Sequence, residues 1–362
     1  MKDVFKRRLA RLREQIAERE LDALLISSNE NRRYISGFAG SSGCLLISQQ
    51  DCILATDFRY VEQAQQESPG FEIFQTTGSQ SCWLPALVNN HYWENLGFEA
   101  AHTSFSTYEQ LRDALSTDSP NIQLIPCTGL VERLRQIKEP EELAVIRKAV
   151  DITDMAFTHL LETIRPGVLE KEVSWELESF FRRSGADGCS FDIIVASGPN
   201  SALPHARPGN RPIKAGEPIV IDMGAMLDGY CSDFTRTICL DSTDETLEKI
   251  YNITLKAQKY AIDNIKAGMS GSEADLLARK IIESDGYGDA FGHGLGHGIG
   301  LEIHELPSLS KLSTDILTDG MVFTVEPGIY LPDKGGVRIE DTVCLENGKI
   351  QVLTQSEKKL RY

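Results

Sequence analysis

Followed from the N-terminus, the chain changes the period of its hydrophobic and polar positions several times. Residues 3 to 19 pattern as a charged amphipathic helix. The runs LDALLIS, GCLLIS and CILAT then read as short strands and YVEQAQQ as a helix. Residues 1 to about 125 therefore carry α/β patterning. The stretch NIQLIPCTGLVERLRQIKEPEEL reads as a junction. Within it Pro140, followed by Glu141 and Glu142, marks a helix start. Leu143, Ile146, Val150 and Ile152 carry that helix towards Arg165-Pro166-Gly167. The expected division is 1–128 and 129–362.

The second part repeats its own plan. ITDMAFTHLLETIRPGVLEKEVSWELESFFRRSG predicts a helix, a break at Pro-Gly and a second helix stopped by Gly185. YNITLKAQKYAIDNIKAGMSGSEADLLARKIIESDG predicts the same, with IKAG at 265–268 matching IRPG at 164–167. A β-rich stretch with two acids follows each helix pair, which suggests a duplicated α+β unit with a site between its halves.

In PIVIDMGAMLDGYCSDFTRTICL, Asp228-Gly229 predicts a two-residue type I′ hairpin turn. Counting outward places Gly224 opposite Asp233 and puts Asp222 on the same face as Asp233, about 7–8 Å away on the diagonal. In GMVFTVEPGIYLPDKGGVRIEDTVCL, Glu326 and Glu340 lie within Val, Ile and Phe runs, where an unpaired carboxylate is expensive. Between these stretches FGHGLGHGIGLEIHELP sets His293, His297 and His304 among alternating glycines. So many glycines exclude a helical histidine pair. An extended chain instead puts Phe291, His293, Leu295, His297 and Ile299 on one face and leaves bare backbone on the other.

Composition narrows the chemistry. With 362 residues, 41% hydrophobic and 25% charged, the chain is long enough for two globular domains. A net charge of −16 opposes nucleic acid and anionic membrane as partners. No apolar run approaches a membrane span, and the charged N-terminus lacks a signal-peptide pattern. Eight scattered cysteines without a CxxC pair suit a reducing cytoplasm. One imidazole (His297) with four carboxylates (Asp222, Asp233, Glu326, Glu340) is an oxygen-rich set. It carries too many anions for one zinc and suits a pair of Mn²⁺, Co²⁺ or Fe²⁺ ions, whose charge balances four carboxylates.

VIDMGAMLDGYCSDFTRT, HGLGHGIGLEIHELP, TVEPGIY and GGVRIEDT together resemble, in order and spacing, the dinuclear metallopeptidases of the pita-bread fold, and among them the Xaa-Pro peptidases, prolidase and aminopeptidase P. NRRYISGFAGSSG and ATDFRY resemble the creatinase-type N-terminal domain of the same group. The resemblance implies an α/β N-terminal domain plus an α+β C-terminal pita-bread domain with internal pseudo-twofold duplication. It implies two divalent ions, Mn²⁺ first and Co²⁺, Zn²⁺ or Fe²⁺ after it. Asp222 would bind one ion, Asp233 and Glu340 would bridge both, and His297 and Glu326 would complete the ligand set of the second ion. Glu326 would also move the proton. His205 in SALPHARPG, His293 and His304 would face the substrate, and Arg338 would orient Glu340 or hold the substrate. A short peptide with proline at position two is the implied partner, and a homodimer the implied assembly. Many prolidase-like members carry a basic residue directly after HExP. Here that position is Ser308, which favours an aminopeptidase P-like enzyme releasing residue one from longer peptides, with Xaa-Pro dipeptidase as the alternative. A non-catalytic relative or a creatinase-like amidinohydrolase would lack the full acid set.

Overall fold

The computed structural model describes residues 3–119, 121–241 and 243–362. The chain divides into two compact units, Met1–Arg135 and Gln136–Tyr362.

In the first unit a six-stranded sheet mixes parallel and antiparallel neighbours, and the strands foreseen from LDALLIS, GCLLIS and CILAT form its middle as Ala23–Ile26, Cys44–Ser48 and Cys52–Thr56. The three strands are joined antiparallel. Asn95–Glu99 and Gln123–Cys127 extend the sheet in parallel on one side, and Glu72–Gln75 does so on the other. The helices Asp3–Glu18 and Val61–Glu67 occupy the predicted positions.

The second unit is built twice. Helices Pro140–Thr163 and Glu170–Arg183 precede one set of strands, and Glu245–Asn264 and Gly271–Ser284 precede the other. The halves correspond at one fixed offset, pairing Ile164 with Ile265, Gly167 with Gly268, Glu172 with Glu273 and Gly185 with Gly286. The members of each glycine pair share a left-handed backbone, with φ of 99° and 89°, then 90° and 88°. Main-chain hydrogen bonds repeat as well: Gly167 N–H donates to Ile213 and Gly268 N–H to Leu317, both at 2.8 Å. Gly167 and Gly268 lie in the break between helices and Gly185 and Gly286 just past the second helix of each pair, in a conformation that a Cβ disfavours. That constraint is what made IRPG and IKAG visible in the sequence.

Each half buries its own apolar cluster. Phe157, Leu177, Phe181, Ile221 and Phe234 centre the first, and Ala257, Ala278, Ile282, Phe323 and Ile339 the second. No helix among the described residues is long and apolar enough to cross a membrane.

Candidate functional site

The first hairpin forms in the register its turn dictates. Asp228 and Gly229 have φ of 45° and 71°, both left-handed as a type I′ turn requires. Leu227 then pairs with Tyr230, Met223 with Phe234 and Asp222 with Thr235. The ladder breaks at Gly224, where a Cβ would lie 1.9 Å from the Ser232 carbonyl oxygen. Strands Pro218–Met223 and Phe234–Cys239 thereby separate from the hairpin tip and join Ile194–Ser197 in another sheet. Asp222 ends up near the end of one strand and Asp233 just before its neighbour.

The second pair of acids meets the first through Thr235. Its hydroxyl donates to Glu340 Oε2 at 2.6 Å, and the Glu340 N–H donates to the Thr235 carbonyl at 3.0 Å. Glu326 follows strand Val322–Val325 and accepts from the Thr324 hydroxyl at 3.1 Å. Oxygens of Asp233 and Glu340 and a nitrogen of His297 all lie within 4.8 Å of one another.

The glycine tract is explained by close approach. A Cβ at Gly294, Gly296 or Gly298 would fall 2.8, 2.0 or 2.1 Å from the carbonyl oxygens of Leu309, Thr324 and Leu306, whereas Gly292 faces open space. Backbone does pack against the bare side, but the extended conformation is shorter than the alternation suggested. Only Gly296–Gly298 is a strand, and its register slips after His297. Phe291, Leu295 and Ile299 turn into the core while His293 and His297 line a cavity, so the five residues do not share one face.

That cavity, of about 510 Å³, is lined by all nine residues singled out in the sequence: Asp222, Asp233, Glu326 and Glu340, the histidines 205, 293, 297 and 304, and Arg338. Their hydrogen bonds run in a chain. Arg338 Nη2 donates to Asp222 Oδ2 at 2.5 Å, its Nη1 to Tyr330 Oη at 2.9 Å and to the Pro204 carbonyl at 3.3 Å, and its Nε to Thr235 Oγ1 at 3.2 Å. Arg338 therefore bonds Asp222 directly and reaches Glu340 through the Thr235 hydroxyl. His293 Nδ1 faces the Gly294 carbonyl at 2.8 Å and must be the donor, so Nε2 accepts from Tyr330 Oη at 3.0 Å. The His304 ring stands edge-on to His297 with centroids 4.3 Å apart.

Electrostatics in this cavity are unbalanced without a cation. Burial, then Glu340 and the other acids, pushes Asp233 well above the usual carboxylate range. Burial, then Glu326 and Asp222, does the same to Glu340. Asp222 is raised by burial against the pull of Arg338, and its Oδ1 is buried without a hydrogen-bond partner among the described residues. For Glu326 burial is outweighed by His297, His293 and Arg338, which bring it down to about 2. His297 is held above its ordinary value because Glu326 outweighs burial. Its Nδ1 faces the Gly298 carbonyl at 3.1 Å, so that nitrogen donates. Nε2 then points its lone pair at Glu326 Oε1 (3.3 Å) and Asp233 Oδ2 (3.5 Å). Three acceptors converging on one point require a proton or a metal ion between them.

Residues 144–347 match metallopeptidase family M24, and residues 8–137 match the creatinase/prolidase N-terminal domain. The chain belongs to metallopeptidase family M24. It is 38% identical to the Xaa-Pro dipeptidase of Pyrococcus furiosus over 362 residues, covering 98% of this chain and 100% of that one. Among solved structures it resembles an Xaa-Pro dipeptidase from Bacillus anthracis (45% identity, TM-score 0.95, 99% of each chain). It also resembles an X-Pro aminopeptidase from Thermotoga maritima (37% identity, TM-score 0.87, 96% of this chain and 99% of that one).

For an M24 metallopeptidase the donors suit divalent cations: hard oxygens with one imidazole, an orphaned Asp222 oxygen, and a histidine lone pair aimed at carboxylates. Two residues of the network were missed in the sequence. Tyr330 links His293 to Arg338, and Thr235 links Arg338 to Glu340. Tyr330 pairs with Gly336 in the hairpin Gly328–Leu331 and Gly335–Arg338, which places it diagonal to Arg338 on the same face. The signal was present in TVEPGIY, two residues beyond a glycine that leaves the ring space.

Proposed function

We propose that this M24 chain is a dinuclear peptidase that hydrolyses the bond preceding proline in short peptides with proline at position two. The observation that carries the reading is the convergence of Asp233, His297 and Glu340 within 4.8 Å, flanked by Asp222 and Glu326, in a cavity large enough for a short peptide. The relatives named Xaa-Pro dipeptidase and X-Pro aminopeptidase support the substrate class. Asp222, Asp233, His297, Glu326 and Glu340 would hold the two ions, with Mn²⁺ the first to try. When bound, divalent cations supply acidified water and carbonyl polarisation.

The chain's own residues supply the rest. Glu326 is held ionised and is placed to take a proton from water and deliver it to the proline nitrogen as the C–N bond breaks. His205 and His304 line the cavity with ring nitrogens uncommitted among the described residues, and they serve as donors to the oxyanion. His293 has both nitrogens engaged and acts through position. An Xaa-Pro bond has no N–H, so recognition falls on the free amino terminus and the pyrrolidine ring. A homodimer in a reducing cytoplasm belongs to the same reading, in keeping with eight free cysteines.

Replacing Asp233 with Asn in Mn²⁺-loaded protein should abolish Xaa-Pro hydrolysis while circular dichroism stays unchanged. Full activity in that variant would overturn the site.

A further inference from the structure

The cavity is strongly anionic, which makes its cations informative. Arg338 is buried and committed, with every guanidinium nitrogen bonded to Asp222, Tyr330, Thr235 or Pro204. The lining histidines carry no permanent charge. Ser308, at the position after HELP, has a neutral side chain whose hydroxyl bonds Ser310 while its N–H bonds Asp315. Arg207 alone among the lining residues is permanently cationic and makes no ion pair or hydrogen bond with any described residue.

Its placement is built by the sequence around it. Residues 205 to 207 alternate outward, inward, outward: His205 and Arg207 are exposed and Ala206 is buried between them. The segment is then pinned a few residues on. Gly209 N–H donates to the buried Glu170 carboxylate at 3.2 Å, and Arg211 bonds Ser197 Oγ at 2.6 Å and Glu217 Oε2 at 2.6 Å. Arg207 thus follows His205 into the cavity on an anchored loop. With Phe191 and Asp192 it also borders an adjoining cleft of about 480 Å³.

A dipeptide substrate carries its carboxylate one residue from the scissile bond, inside a cavity lined by five acids, Asp192 among them. That charge needs a free cation. We propose that Arg207 is the specificity-determining residue that pairs with the C-terminal carboxylate of an Xaa-Pro dipeptide, the task that Ser308 cannot perform. This rests on the Xaa-Pro reading above. A tripeptide carries its carboxylate about 3.5 Å further along the chain and depends on Arg207 less.

The test compares an Xaa-Pro dipeptide with its C-terminal amide on Mn²⁺-loaded wild-type, Arg207→Ala and Arg207→Lys proteins. The expected result for Arg207→Ala is a dipeptide-to-amide ratio of kcat/KM lowered about tenfold, the size of one partly solvated charge-assisted pair. The loss should lie in KM with kcat little moved, and Arg207→Lys should recover part of it. Equal changes for both compounds, or no change for either, would overturn the assignment of Arg207 while leaving the peptidase reading intact. Failure of the wild-type protein to cleave either compound would overturn the Xaa-Pro reading and this inference with it.

Discussion

At the scale of single residues the site is a problem of proton bookkeeping that a metal ion solves. Asp233 and Glu340 keep their protons to higher pH folded than unfolded, where a carboxyl titrates near ~4. A raised pKa gives stability that is complete below the unfolded value and lost as pH rises through the folded one. His297, also raised, acts in the same direction from its ordinary value upward. Glu326, held at about 2, works oppositely: its contribution is present above ~4 and lost as pH falls towards 2. Chelator-treated protein should therefore lose thermal stability as pH rises above ~4, and Mn²⁺ should remove the decline by taking the place of those protons. Melting curves across that range, with and without Mn²⁺, read this directly. A metal-free Tm that climbs with pH would contradict it. The acids themselves were legible because each stands in or beside an apolar strand, where a lone charge is costly. Thr235 and Tyr330 were not, because a hydroxyl in such a strand costs little and carries no pattern.

At the scale of elements, what could be read from sequence was what local chemistry fixes. The Asp228-Gly229 turn sets its own register, so the diagonal between Asp222 and Asp233 followed from counting. The parting of the strands at Gly224 did not, because it depends on Ser232 closing over a missing side chain. The histidine tract has the same character. Its glycines signalled close backbone approach, but the bends that send Phe291 and Leu295 inward come from packing across the second half. Within the tract the glycines are unequal. Gly296→Ala would drive a Cβ to 2.0 Å from the Thr324 carbonyl oxygen and displace His297, whereas Gly292→Ala meets nothing within 4 Å. Overpacking against backbone costs about 1–3 kcal/mol or more. Gly296→Ala should lower Tm and weaken Mn²⁺ affinity together, with Gly292→Ala within about 0.5 kcal/mol of wild type. Equal effects from the two substitutions in paired melts and metal titrations would show that close approach is not why glycine occupies the tract.

At the scale of the whole molecule, the site exists because a duplicated unit brings two unlike strand pairs face to face. Asp222 and Asp233 come from the first half, and His297, Glu326 and Glu340 from the second. The seam between the halves is tied by buried bonds. Arg236 pairs with Asp341 at 2.8 Å, Thr237 Oγ1 donates to the Arg338 carbonyl at 2.8 Å, and Thr342 Oγ1 donates to the Asp233 carbonyl at 2.7 Å. Cations shared by acids from both halves therefore stabilise both at once, and ligand present at about 100 times its Kd adds roughly 2.7 kcal/mol. Hydrogen exchange should report that coupling. Adding Mn²⁺ should slow exchange in Phe234–Cys239 and in Asp341–Glu346 together, and Asp233→Asn, a change in the first half, should abolish the effect in both strands. Protection confined to one half would mean that the metal is held there alone, and the seam would then be packing without a shared site.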